Sequence, residues 1–262
     1  MLSEIKQANV LVVGASQGIG LGFVRSLLQQ DNIQQIFATY RNPDTAKQLL
    51  NLASQSGDRE AYPKGNRLKC LQVDITKEEQ IAAAVKQIQT SVKQLHLVIY
   101  CVGVLHDQNL TPEKSLRQIS AENLIYSFQV NSIGAVLLAK HLMPLFNKTE
   151  PSVFACISAK VGSISDNRLG GWYGYRASKA ALNMFLKTTA IEYSRRCPKT
   201  IVVALHPGTT DTQLSQPFQK NVPTGKLFPV EHTVKLLSEV ISGLSLKDSG
   251  EFFSWDGTQL PW

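Results

Sequence analysis

Short runs of β-branched and other apolar residues alternate along the chain with longer stretches in which apolar positions recur every three or four residues. The runs Val10–Val13, Ile36–Thr39, Leu68–Val73, Leu97–Cys101, Val153–Ile157 and Ile201–Leu205 predict strands, and Glu251–Trp255 predicts a seventh. The stretches between them have helical spacing; Leu124–Phe146 and Tyr175–Arg195 predict long helices with extended apolar faces. Such alternation is the signature of repeated βαβ units, hence an α/β chain with a parallel sheet. Polar segments at Ser54–Gly65, Ser163–Gly171 and Pro207–Phe228 predict loops rather than domain linkers. The last is the longest, and loops of that length tend to be lids or binding segments.

Composition narrows the function classes. The chain has 262 residues, 43% hydrophobic and 18% charged, enough for a sizeable core without covalent staples. Its longest apolar stretches, such as Leu97–Leu105, fall far short of the ~18 residues that cross a bilayer. The first residues include Glu4 and Lys6 where a secretion signal needs an apolar core, so a cytoplasmic location is expected. Cys70, Cys101, Cys156 and Cys197 have no metal-type spacing, and free thiols in a reducing compartment are the expectation. The net charge of +7 permits an anionic partner. Its cations are dispersed, however, with Arg195-Arg196 the only basic doublet, so neither nucleic acid nor a membrane is expected as a partner.

The first strand runs into Gly14-Ala15-Ser16-Gln17-Gly18-Ile19-Gly20 and then a helical pattern through Leu21, Val24 and Leu27. A glycine turn there lets bare backbone approach a pyrophosphate at the positive end of a helix, or it is simply a tight β-to-α turn. Its spacing, G-x-x-x-G-x-G, differs from the common dinucleotide fingerprint. After the second strand comes Tyr40-Arg41-Asn42, with no acid to grip a ribose hydroxyl. An arginine fork attracts a 2′-phosphate, which favours NADP(H) over NAD(H) unless Arg41 only caps a loop. Asp74 either accepts a bond from adenine or caps the helix beginning near Thr76.

Tyr175 and Lys179 are four residues apart on one helical face, a spacing that by itself reads first as an ordinary exposed helix pair. An ammonium beside a phenol is expected to lower the phenol's pKa from about 10, letting it exchange a proton with a carbonyl or alcohol oxygen near neutral pH.

The glycine turn, Asp74, Asn131, Tyr175-x-x-x-Lys179 and Pro207-Gly208 resemble, in order and approximate spacing, the short-chain dehydrogenase/reductase family over nearly the whole chain. Leu105-His106-Asp107, the Gly162–Lys179 segment and the ending Asp256–Trp262 are most similar to its C-factor and sniffer-type carbonyl reductase branch. The resemblance implies one Rossmann-type domain over residues 1–262: a doubly wound parallel sheet of about seven strands with helices on both faces. It also implies a nicotinamide cofactor, a small carbonyl or alcohol substrate, a homodimer or homotetramer, and a catalytic set of Tyr175, Lys179, Asn131 and Ser158. Tyr175 would be the general acid or base, Lys179 would also bind the ribose, and Asn131 would hold a relay water. Cofactor contacts would come from Gly14, Ser16, Gln17, Gly18, Ile19, Gly20, Arg41, Asp74, Ile75, Gly103, Tyr175, Lys179, Pro207, Gly208, Thr210 and Thr212, the last meeting the carboxamide. Residues 207–229 would form a lid over the nicotinamide, with Phe218, Leu227 and Phe228 as its apolar part.

The sequence departs from the family pattern in three places. Val13 replaces the usual Thr, and Tyr100-Cys101-Val102-Gly103 replaces Asn-Asn-Ala-Gly. In many relatives the catalytic serine stands three residues before a glycine, where this chain has Ala159 before Gly162. Ser158 is one position early, facing the wrong side of a regular strand unless a bulge redirects it. Ser163 and no serine at all are the alternatives. His106 and His206 read as hydrogen-bonded structural residues, and Trp172 and Tyr173 either line the substrate cleft or pack their loop. The expected activity is NADPH-dependent reduction of a ketone or aldehyde, with 4-pro-S hydride transfer implied by the family. The rival is a signalling protein that keeps a cofactor site with little turnover.

Overall fold

A computed structural model describes residues 5–55, 67–146 and 149–262. The chain runs β1 (Ala8–Val13), α1 (Gly18–Leu28), β2 (Ile33–Tyr40), α2 (Lys47–Gln55), β3 (Leu68–Gln72), α3 (Glu78–Ser91) and β4 (Leu97–Tyr100). It continues with α4 (Ala121–Phe128), α5 (Gly134–Leu142), β5 (Ser152–Ile157), α6 (Tyr173–Arg196), β6 (Thr200–His206), β7 (Thr209–Thr210), β8 (Leu227–Phe228), α7 (Val230–Gly243) and β9 (Phe252–Ser254). Seven strands form one sheet in the order β3-β2-β1-β4-β5-β6-β9, every pair parallel. The seven predicted strands are these seven.

Alternation along each strand divides the core into two layers. Val10 and Val12 pack with Phe23, Val24, Leu49, Val234 and Leu237, so α1, α2 and α7 cover one face. Leu11 and Val13 pack with Ile81, Val85, Leu138, Leu182 and Leu186, so α3, α5 and α6 cover the other. This is the doubly wound Rossmann-type sheet.

The predicted helix Leu124–Phe146 is not one regular element. Gln129–Ile133 is a π turn that joins α4 to α5, and Met143–Leu145 tightens to a 3₁₀ turn. Hydrophobic periodicity is nearly blind to one inserted residue, so the pattern reads through the break. The Pro207–Phe228 segment is also more ordered than a loop: β7 pairs with β8, and Gln216–Asn221 is a 3₁₀ turn. The predicted Ser54–Gly65 loop lies outside the described residues from position 56 onward. Ser54 and Gln55 belong to α2.

Candidate active site

The strand order reverses between β1 and β4, so the loops leaving their carboxyl ends diverge and open a crevice. Gly14 leaves β1 at φ +79°; its N–H donates to Thr39 Oγ1 at 3.1 Å. A Cβ at Gly14 would lie 2.8 Å from Val102 Cγ2, and one at Gly20 only 2.2 Å from the Gly14 carbonyl oxygen. The helix start is therefore pressed onto the turn. Gln17, the residue before α1, makes no side-chain capping bond, and the first turn of α1 carries no acid. N–H groups left without a side-chain acceptor at a helix start are the kind of donors an anion requires.

Other expected cofactor contacts divide into rim and core. Ser16 and Ile19 are half-buried and Gln17 exposed around the turn. Thr212 overhangs it, since a Cβ at Gly18 would meet Thr212 Cγ2 at 3.2 Å. Arg41 is exposed just past β2; its carbonyl accepts from Gln72 Nε2 at 3.1 Å, and its guanidinium has no recorded partner among the described residues. Asp74 Oδ1 accepts from Thr76 N at 3.0 Å and Thr76 Oγ1 at 2.8 Å, closing the turn before α3. The Ile75 side chain is buried, packed where a Cβ at Gly134 would lie. Thr210 is buried with Oγ1 2.9 Å from Thr233 Oγ1, while Gly208 follows Pro207 at φ +72°.

Tyr175 and Lys179 stand in the first two turns of α6, with Lys179 Nζ 5.9 Å from the Tyr175 ring centroid. Nζ donates to the Ile157 carbonyl at 2.9 Å, at the end of β5. A Cβ at Gly103 would sit 3.5 Å from both Lys179 Nζ and Asn131 Oδ1, so strands β4 and β5, the π turn and α6 converge on one point. Burial lowers the Lys179 ammonium to about 8 and raises the Tyr175 phenol. The expected lowering of Tyr175 is thus reversed: withdrawal of the phenol from water raises it.

Asn131 is fully buried, and its amide is spent on protein. Oδ1 accepts from Val104 N at 2.7 Å, while Nδ2 donates to Val104 O at 2.9 Å and Ser178 Oγ at 3.0 Å. It locks the loop after β4 to α6. Ser178, which also donates to the Tyr175 carbonyl at 2.9 Å, carries no sequence signal of its own.

The β5–β6 pairing is regular through Ile157, and Ser158 N still donates to Leu205 O. With no bulge, Ser158 keeps the facing of Phe154 and Cys156, toward α6. Its buried hydroxyl donates to Asn183 Oδ1 at 2.6 Å. Ser163 is buried too, its Oγ accepting from Asp166 N at 3.2 Å. Between them Ala159 and Val161 are half-buried and Lys160 is exposed.

Phe218 lies 4.9 Å from Trp172 and 5.8 Å from His106, and Trp172 lies 6.2 Å from Tyr175, as ring centroids. His106 is also within 3.1 Å of the Gln213 carbonyl. Phe228 instead anchors the segment, packed 4.9 Å from Trp255 and 5.1 Å from His232. His206 lies away from this cluster, Nδ1 accepting from Lys160 N at 3.3 Å, its pKa lowered to about 4 chiefly by burial. Glu113, buried beneath the start of α6, has no sequence signal because its partners lie some sixty positions downstream.

A glycine-turn crevice at the reversal point, an uncapped helix start and a Tyr–Lys pair beside it define a nicotinamide-type oxidoreductase of the Rossmann class. The chain belongs to the short chain dehydrogenase family, whose model matches residues 8–223. It is similar to the NADPH-bound carbonyl reductase from chicken fatty liver, at 29% identity and TM-score 0.84 over 98% of this chain and 100% of that one. The carbonyl reductase Sniffer of D. melanogaster gives 26% and 0.83 over 98% and 100%. The C-signal protein of Myxococcus xanthus is 29% identical over 148 residues, 56% of this chain and 84% of that protein. The carbonyl reductase-like branch is thereby supported. No helix among the described residues is long and apolar enough to cross a membrane.

Proposed function

We propose that the protein reduces a ketone or aldehyde with NADPH, or oxidises the matching alcohol in reverse, with Tyr175 as the proton-transferring acid or base. The observation that carries this is the convergence of Tyr175, Lys179, Gly103 and Asn131 at the mouth of the crevice. Gly14, Gly18 and the start of α1 would hold the pyrophosphate, and Lys179 Nζ, with one hydrogen bond among the described residues, has donors left for ribose hydroxyls. The nicotinamide, bound beside Gly103, would supply the hydride. Tyr175 would give its proton to the carbonyl oxygen, and Lys179 would hold the substrate side of the site positive. Tyr175, its phenol raised by burial, is protonated at neutral pH, the form that can give a proton to a carbonyl oxygen.

Arg41 supports the choice of NADPH: it stands exposed just past the end of β2, where an acid would repel a 2′-phosphate. Oxidation of NADPH in the presence of a panel of carbonyl compounds tests the function. In Arg41→Ala, KM for NADPH is expected to rise about 10–100-fold while NADH kinetics change little, since a charge-assisted contact is worth ~1.5–3 kcal/mol. Tight cofactor binding without reduction of any carbonyl would return the signalling reading instead.

A pH dependence follows from Lys179. Below about pH 8 its ammonium is charged; above that pH it loses its proton while Tyr175 still holds its own. The kcat/KM for reduction is expected to be level near pH 7 and to fall with unit slope above about pH 8. A profile flat to pH 9.5 would remove Lys179 from this role.

Residues 207–229 are proposed as the substrate lid, with Phe218 as the side chain placed over Trp172. A second copy of the chain is the proposed partner of Ile125, Met184 and Ile191, apolar residues exposed on α4 and α6. Light scattering of the purified protein tests this. Cys70, Cys101 and Cys156 are free thiols, as suits a reducing compartment such as the cytoplasm.

A further inference from the structure

Residues 170–172 turn left-handed one after another, with φ of +66°, +65° and +52° at Gly170, Gly171 and Trp172. Glycine adopts this conformation freely, but a tryptophan does so only when its surroundings hold it there. Trp172 is the only non-glycine residue with positive φ among the described residues, and it is the cap residue of α6. It makes no side-chain capping bond, and the first turn of this 24-residue helix contains no acid. The orphan N–H groups of the turn that carries Tyr175 need an acceptor from elsewhere.

Glu113 supplies it. This residue is only 2% exposed. Its carbonyl accepts from Trp172 N, and its carboxylate Oε2 accepts from Gly174 N at 3.1 Å, across 61 positions of sequence. The approach is close enough to dictate the residue at 174: a Cβ there would lie 2.9 Å from Glu113 Oε1 and 3.3 Å from Ser127 Oγ. Oε1 itself is buried without a hydrogen-bond partner among the described residues. A carboxylate withdrawn from water with one oxygen unpaired is costly to keep. The positive end of α6 is what offsets that cost.

We infer that Glu113 is a positioning residue for the Tyr175 reaction, capping α6 from a remote loop and thereby fixing the Tyr175 hydroxyl and the Trp172 ring against the crevice. The inference rests on the proposed role of Tyr175. Glu113 touches neither the crevice glycines nor Arg41, so its effect falls on orientation of the acid and not on the hold on the cofactor.

Glu113→Ala and Glu113→Gln test it through steady-state kinetics and amide hydrogen exchange of the 172–176 segment. In Glu113→Ala, kcat is expected to fall about tenfold or more, KM for NADPH to stay within about twofold, and exchange at Gly174 N–H to accelerate. Glutamine keeps an acceptor oxygen for Gly174 N–H and is expected to restore kcat to within about threefold of the parent. Unchanged kcat in folded Glu113→Ala, or a glutamine variant no better than alanine, overturns the inference. If Glu113→Ala does not fold, Gly174→Ala decides: its added Cβ displaces the carboxylate, and an unchanged kcat there overturns the inference equally. Full activity of Tyr175→Phe would instead refute the role of Tyr175, while exchange at Gly174 still reports whether Glu113 caps the helix.

Discussion

Tyr175→Phe is expected to lower kcat for carbonyl reduction by about 10²–10⁴-fold, the usual contribution of a positioned acid or base. Removing the hydroxyl leaves the ring, so the contact with Trp172 at 6.2 Å and the Lys179 ammonium 5.9 Å from the ring centroid have no reason to move. NADPH affinity should change little, because in the proposed mode pyrophosphate and adenosine would be held at the far side of the crevice by the glycine turn and Arg41. The measurement is single-turnover oxidation of NADPH, with cofactor binding followed separately by fluorescence. Retention of more than about a third of the parent rate would rule out proton transfer through this phenol.

Gly20→Ala has the second large effect, and it acts on binding. The added methyl would start 2.2 Å from the Gly14 carbonyl oxygen and 3.1 Å from the Ala15 Cα, both backbone, so no side chain can swing aside. Either the turn or the start of α1 must shift, and overpacking of this kind costs ~1–3 kcal/mol. Thermal denaturation is expected to move down by roughly 2–10 °C. The Kd for NADPH should rise about tenfold or more, since the N–H groups of the helix start no longer converge on the pyrophosphate. Wild-type affinity in a folded Gly20→Ala protein would count against the glycine turn as the phosphate site.

The parallel sheet was readable because each of its strands is a short apolar run set off by polar punctuation. The β5 run Val153–Ile157, for instance, could face helices on both sides and nothing else. Tyr175 and Lys179 were readable because helical spacing alone puts them on one face. What stayed hidden needed three dimensions. The direction of the Ser158 hydroxyl depends on whether the strand end is regular, and regular pairing sends it to Asn183. The sign of the Tyr175 shift depends on how much water the phenol loses, a quantity the order of residues does not contain. Glu113 was invisible for the plainest reason, that nothing near it in sequence explains a buried carboxylate.

The sheet order carries one more consequence, for the assembly of the site in time. The crevice opens beside the pairing of β1 with β4, in which Val10 meets Leu97. No hairpin shortcut exists, so the glycine turn stays half a crevice until a long chain segment has closed back on it. Parallel pairings of such separation form slowly. A ligand that recognises only the closed arrangement draws the chain toward it by mass action. A dinucleotide bound in the crevice would therefore also favour the closed fold over the open chain, in proportion to its concentration.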